Sequence, residues 1–378
     1  MSTKADFQSA LSTLRQGDPE TAASMFRTVL ADTPDHPAAT HFLGIALHNL
    51  GRTEEARKLV HRSIALEPDR PEFRRNLGGL LKDLGAYEEA LPHLQAAAAK
   101  RPDDPSLLAS LCEMLFRLNR LEEARAAGQK ALELKDAYAN EAFDGTRLAG
   151  TAPPFQATER ARNVIAFSLW GDDDYYRYGA LENARLGRHF YPEWMCRFYC
   201  DQTVPQDFIQ QLVAAGAQVV QYPTLAKGNE ALFWRFRVAN DPSVDRFLCR
   251  DCDSPFNVRE RVAVEEWIRL GTCFHAMRDH VIHVDLILAG LWGGVTGLLP
   301  DMKALAQAQL EDYRGRWADQ TMLGREIWPR IRDTVTVHDS QYSVARTRPF
   351  PEFGTLPPPL HAGYSKPRVK ERRNEFQN

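Results

Sequence analysis

The chain has 378 residues, 44% of them hydrophobic and 26% charged, and a net charge of −3. It is too long for one ordinary core, so two domains are expected, and the near-neutral charge gives no reason to expect a nucleic-acid partner. No apolar run approaches membrane-spanning length. The opening MSTKADFQSALSTLRQGD has no apolar signal-peptide centre, and six cysteines are spread thinly along the chain. These features predict a cytoplasmic protein with no transmembrane segment; the alternative is peripheral attachment at the inner face of the membrane.

The first third repeats itself. Ala22, Ala56, Ala90 and Ala124 recur every 34 residues, as do Gly17, Gly51, Gly85 and Asn119, and Pro34, Pro68 and Pro102. This period with small residues at fixed places is the signature of the tetratricopeptide repeat. Each unit is read as two amphipathic helices held close by a small residue, with a proline where the second helix stops. Four repeats over residues 1–140 predict an α-solenoid with a concave face. His41, His48, Asn49, Arg75, Lys82, Asp83 and Arg117 are expected on that face, a mildly basic set suited to an acidic or polar partner segment. A rigid spacer or a dimerisation surface is the competing reading.

Residues 141–162, with GTAPPFQATERAR at their end, read as a Pro-containing linker. Strands and helices then alternate. NVIAFSLWG, WMCRFYCD, AQVVQYP and VDRFLCRDCDS read as strands; YRYGALENARLGRHF, PQDFIQQLVAAG, GNEALFWRFRVAND and NVRERVAVEEWIRLG read as helices. That alternation predicts an α/β domain over 163–345, with a mostly parallel sheet that binds ligands beyond the carboxyl ends of its strands. Residues 346–378 read as a Pro-rich basic tail.

The stretch FLCRDCDSPFN carries the sharpest chemical question. Asp251 and Asp253 lie at i and i+2, so on extended chain their side chains point the same way. Two carboxylates converging beyond a strand end suit a divalent cation with hard oxygen ligands; the plainer reading is a polar turn. Cys196, Cys200, Cys249 and Cys252 have spacings that suggest zinc. On strands, however, residues three apart face opposite sides and residues four apart are about 13 Å apart, so free buried thiols are expected. GLWGGV, from Gly290 to Val295, is either a place where backbone approaches a ligand closely or an ordinary turn. ADQTMLGREIWP places Asp319 and Gln320 at the start of a helical run, where Asp319 would otherwise serve as a cap. TVTVHDS reads as a strand that delivers His338 to its end.

Taken in order, FWRFRVANDPSVDRFLCRDCDS, EEWIRLGTCFHAMRDH, ILAGLWGG, WADQTMLGREIWP and VTVHDS resemble bacterial glycosyltransferases of the GT-A fold. They are similar to the glycogenin and lipopolysaccharide galactosyltransferase group, over roughly residues 160 to 350. The resemblance implies a Rossmann-like α/β/α domain and a nucleotide-diphosphate sugar as donor. It implies Mn2+ or Mg2+ held by Asp251, Asp253 and a late histidine. His338 is favoured because a strand delivers it; His361, in HAGYSKP, is the alternative and matches that group's H-x-G-x-x-K-P. Asp319 and Gln320 are the implied catalytic pair, and the pairing leans towards retention of anomeric configuration. Ser168, Trp170, Arg235, Arg250, Asp251, Arg278, Asp279, Gly293 and Gly294 are the implied donor-binding set. The expected activity is metal-dependent transfer of a sugar to a glycan or protein acceptor, which the repeats recruit or orient. The competing expectation is a non-catalytic scaffold with a degenerate nucleotide-sugar-binding domain.

Overall fold

The computed structural model describes residues 2–223, 225–226, 228–312, 317–352 and 360–365. The chain divides into two compact units, Met1–Leu134 and Lys135–Asn378.

The first unit is a run of antiparallel helix pairs: α1 (Ser2–Arg15) with α2 (Pro19–Asp32), α3 (Pro37–Asn49) with α4 (Thr53–Leu66), α5 (Pro71–Asp83) with α6 (Tyr87–Lys100), and α7 (Pro105–Arg117) with α8 (Leu121–Glu141). The repeat ladders have physical roles. Gly17, Gly51, Gly85 and Asn119 all take positive φ, from 56° to 86°, in the turns between paired helices, a conformation open to glycine and next most readily to asparagine. Ala22, Ala56, Ala90 and Ala124 are fully buried. Pro37, Pro71 and Pro105 open α3, α5 and α7, where a missing N–H costs nothing.

The second unit is built on one eight-stranded sheet. Its strands are β1 (Asn163–Leu169), β2 (Met195–Cys200), β3 (Gln218–Gln221), β4 (Arg246–Arg250), β5 (Phe274–Arg278), β6 (Leu291–Val295), β7 (Val335–Asp339) and β8 (Thr347–Arg348). Their order is β3-β2-β1-β4-β6-β5-β7-β8. All neighbouring pairs are parallel except those of β6, which runs antiparallel to β4 and β5. The carboxyl ends of every other strand therefore share one edge, and β6 begins there. Helices α9 (Asp174–Phe190), α10 (Gln206–Ala214), α11 (Val258–Leu270) and α12 (Met302–Asp312) join the strands. A short run of α13 (Ala318–Met322), a π-turn (Leu323–Ile327) and α14 (Trp328–Ile331) leads into β7.

Three sequence expectations change. GNEALFWRFRVAN forms 3₁₀ turns, Gly228–Asn240, rather than an α-helix. GLWGGV is not a turn: Leu291–Val295 is the buried strand β6, whose glycines hid its β character. The segment read as a linker packs along the second unit. Leu148 N–H donates to the Arg330 carbonyl, Ala152 N–H to the Gly271 carbonyl, and Arg246 to the Pro153 carbonyl.

Adjacent glycines in α5 give a test of the solenoid packing. A methyl on Gly78 would come within 2.6 Å of Leu94, whereas a methyl on Gly79 meets nothing within 4 Å. Gly78→Ala should cost roughly 1–3 kcal/mol through overpacking. Gly79→Ala should add about 0.5–1 kcal/mol through helix propensity. Urea unfolding followed at a helix-sensitive wavelength checks both signs; equal effects would contradict the packing described.

Candidate functional site

The site lies where β4 ends beside β1. β4 is buried throughout, and after Arg250 the chain turns through Asp251, Cys252, Asp253 and Ser254. Arg235 reaches this turn from the 3₁₀ segment. It is seated by its own N–H, which donates to Ser168 Oγ at the end of β1, 3.0 Å away. Its guanidinium donates to the Arg250 carbonyl at 3.1 Å, to Asp251 Oδ1, and to Asp319 Oδ2 at 2.9 Å. One buried cation thus joins two carboxylates that are distant in sequence. The Asp251 side chain is 47% exposed whereas that of Asp319 is 5% exposed, so Asp251 offers the reachable oxygen. Gly290 makes room for it, since a Cβ there would fall on the Asp251 carboxylate.

Asp253 lies two residues beyond. Its carboxylate accepts from Tyr175 Oη at 3.5 Å, and the Ser365 side chain lies beside it. Burial first, and the Asp251 charge second, push its pKa up. Asp319 is also pushed up, by burial first and the Asp251 charge in addition, against the pull of Arg235. Three carboxylates with one shared arginine are a site with an excess of negative charge. The donor set is all oxygen, which fits a hard divalent cation at Asp251 and Asp253, with further ligands from a diphosphate or water. Among the described residues, no group of three or more His, Cys, Asp or Glu side chains is placed to hold a metal.

The other expected residues divide. Ser168 positions Arg235 as described, Trp170 follows β1 partly buried, and Gln320 N–H donates to Asp319 Oδ1 at 2.9 Å. Arg250 is internal: its guanidinium is buried, ion-paired with Glu260 at 3.1 Å, and donates to the Gly290 and Ser254 carbonyls. Glu260, pushed up to about 7 by burial against the pull of Arg250, was not singled out in the sequence. Arg278 is likewise internal, donating to Asp339 at 2.6 Å and to the Leu286 carbonyl. Asp279 accepts a two-pronged contact from Arg259 at 2.7 and 2.9 Å and a third bond from Ala362 N–H at 2.9 Å. Gly293 and Gly294 sit within the sheet, where a Cβ would strike the Phe247 carbonyl or the Phe274 ring; strand packing, not a ligand, accounts for them.

His338 is the clearest correction. It is buried, and both ring nitrogens are engaged, Nδ1 with His275 Nε2 and Nε2 with Glu266 Oε2, each at 2.7 Å. A strand does deliver it, but inward to that network rather than to Asp251 and Asp253. The tail segment around His361, although farther along the chain, makes contacts nearer to them. Ala362 N–H donates to Asp279, Asn257 donates to the His361 carbonyl at 3.4 Å, and the Ser365 side chain lies beside Asp253. The lysine and proline that complete HAGYSKP, with the rest of 366–378 and residues 353–359, lie outside the described residues. All six cysteines are free and buried; burial pushes Cys196 and Cys200 up to about 12.

On the solenoid, the expected basic face is largely self-neutralised. Lys82 pairs with Glu113 at 3.1 Å, His48 with Asp83 at 2.9 Å, and Arg75 and Arg117 lie 3.9 and 3.8 Å from Asp104 and Glu113. His41 is not on a binding face at all. It is buried, stacked on Phe73 at 4.1 Å and bonded to Ser63 and Asn76.

Residues 13–77 and 75–142 each match the tetratricopeptide repeat, so the N-terminal helices are tetratricopeptide repeats, and repeats of this kind present protein-interaction surfaces. No curated protein matches the chain. Among solved structures, a MamA fragment from Desulfovibrio magneticus is 27% identical over 37% of this chain and 80% of its own, with a TM-score of 0.33. A mutant O-GlcNAc transferase from Thermobaculum terrenum is 21% identical over 61% of this chain and 43% of its own, with a TM-score of 0.41. At these scores neither carries an argument about function. The second unit is a mixed α/β sheet domain, and no helix among the described residues is long and apolar enough to cross a membrane.

The charge excess at the turn has a measurable consequence. A carboxyl whose folded pKa lies above its ordinary value of 3.8 costs the fold stability as pH rises from that value through the folded one. Asp253→Asn removes the cost. Without divalent ions the variant should melt above the parent at pH 7, and the gap should close as pH falls towards 4. A variant that melts lower at pH 7 would show that favourable bonds outweigh the burial of the charge.

Proposed function

We propose that the second unit is a metal-dependent glycosyltransferase that takes a sugar from a nucleotide-diphosphate donor. The observation that carries this reading is the junction of Asp251 and Asp319 through Arg235, with Asp253 beside it, at the carboxyl end of parallel strands. Open α/β sheets bind ligands at such ends. The ordered motifs that resemble GT-A glycosyltransferases add to it. In this reading Asp251 and Asp253 hold Mn2+ or Mg2+, which when bound offsets the charge that develops on the departing diphosphate. Arg235 keeps Asp251 oriented and its charge partly balanced. Asp319 and Gln320 face the sugar or the acceptor hydroxyl rather than the diphosphate, and Trp170 lies at the donor end of β1. The late protein ligand, if there is one, comes from the His361 segment and not from His338. The tetratricopeptide repeats recruit or orient a glycan or protein acceptor, and holding it nearby raises its effective concentration.

The test begins with thermal shift. Nucleotide sugars screened with Mn2+ should include at least one that raises the melting temperature, because a ligand of the folded state stabilises it. With that donor, Asp251→Asn should abolish metal-dependent binding and turnover. Asp319→Asn should lower turnover by about a hundred-fold or more while leaving donor affinity nearly unchanged. Binding without turnover in the parent protein would favour a nucleotide-sugar-binding scaffold. No binding with any donor or divalent ion would end the glycosyltransferase reading.

A further inference from the structure

One helix outside the expected site makes three successive contacts with the carboxylate turn. Helix α9 begins at an Asp173 cap whose carboxylate accepts from Tyr175 N–H at 2.9 Å. From there Tyr175, Gly179 and Asn183 follow at intervals of four residues, which puts them in one line along the helix. Tyr175 Oη reaches Asp253 Oδ2 at 3.5 Å. Gly179, one turn on, lies against the backbone: a Cβ there would fall on the Cys252 carbonyl and within 3.1 Å of Asp253 Cα. Asn183, a further turn on, is fully buried. Its amide donates to the Cys252 carbonyl at 3.0 Å and the Ser254 carbonyl at 3.2 Å, and its Oδ1 accepts from Phe256 N–H at 3.3 Å.

The chemistry of each position is specific. A buried amide is costly unless its groups are bonded, and Asn183 uses both ends on the backbone that carries Asp253. It brackets the residue, bonding the carbonyls immediately before and after it. A glycine in mid-helix is normally a loss; at position 179 it allows α9 to touch the turn. The neighbours on the same side, Ala180, Ala184 and Gly187, are small and buried without polar contacts of this kind, so the line is a distinct feature of the helix rather than general packing.

We infer that the line Tyr175–Gly179–Asn183 on α9 positions the Asp251–Asp253 turn, with Asn183 as the principal positioning residue of the cation site. The inference rests on the reading of Asp251 and Asp253 as carboxylates that hold a cation. It assigns no contact with substrate to Asn183 or Gly179. They act through the backbone of the turn, fixing where the Asp253 carboxylate stands relative to that of Asp251.

The test uses the full chain with Asn183→Leu, close in shape but unable to hydrogen-bond, and Gly179→Ala, which pushes the helix off the turn. Two readouts are taken on each folded variant. Mn2+ affinity is measured by electron paramagnetic resonance, with Mn2+ alone and with Mn2+ plus UDP, GDP or CDP. Amide hydrogen exchange is followed across 252–256 and across β1 and β4. We expect Mn2+ affinity to fall about ten-fold or more, and the Phe256 amide to lose protection while β1 and β4 keep theirs. Unchanged Mn2+ affinity in a variant with an exposed Phe256 amide would overturn the inference. So would loss of protection spread equally over β1 and β4, which is the mark of a purely structural residue. If Asn183→Leu does not fold, Gly179→Ala decides by the same criteria. A parent protein that binds no Mn2+ under any of these conditions refutes the cation reading itself; the exchange pattern then still decides whether the line holds the turn.

Discussion

The arrangement of the second unit's sheet edge depends on one buried guanidinium. The acid of its own segment, Glu230, lies against Arg237; Arg235 finds Asp251 on the β4 turn and Asp319 on α13. Burial alone would lower the affinity of this arginine for its proton, and the two carboxylates more than reverse that. The same contact serves the acids. Asp319 is as buried as Arg235, and an unpaired carboxylate there would be expensive. The pair is better read as a device for location than as a source of stability, since buried ion pairs roughly offset their own desolvation. It draws residues 235, 251 and 319 to one point from three separate elements.

A second ionic layer lies beneath. Arg250 with Glu260 and Arg278 with Asp339 are fully internal, and each arginine also donates to a backbone carbonyl at the same edge. These arginines shape the loops that follow β4 and β5 from inside. Arg259 with Asp279 extends the pattern outward to the Ala362 N–H, so the described part of the tail is tied to the edge that carries Asp253.

Much of this was legible in the residues. The repeat ladders named the turn glycines and the buried alanines of the solenoid, because a 34-residue period leaves little freedom for anything else. The sequence pattern located five of the eight strands, and it placed Asp251 and Asp253 beyond a strand end. What could not be read was direction. Arg250, Arg278 and His338 each belong to strands whose residues are buried on both faces. A period of two therefore cannot tell which side carries the site and which the core. The same double burial disguised β6, where Gly293 and Gly294 replace the β-branched residues that normally mark a strand. His48, Arg75 and Lys82 looked like a basic face because their partners sit about one repeat away and are invisible to local reading. Asn183 did leave a trace, as a lone amide in the small-residue face of α9, but only the fold shows what it holds.

The central claim is that Asp251 and Asp253 hold the cation that a donor diphosphate completes. Diffraction near the manganese absorption edge from crystals grown with Mn2+ and a nucleoside diphosphate tests it most directly. The account predicts an anomalous peak in contact with carboxylate oxygens of Asp251 and Asp253, adjoining the diphosphate, with His338 still bonded to His275 and Glu266. A peak at His338, or a nucleoside diphosphate bound in the site with no anomalous scatterer beside it, would contradict it.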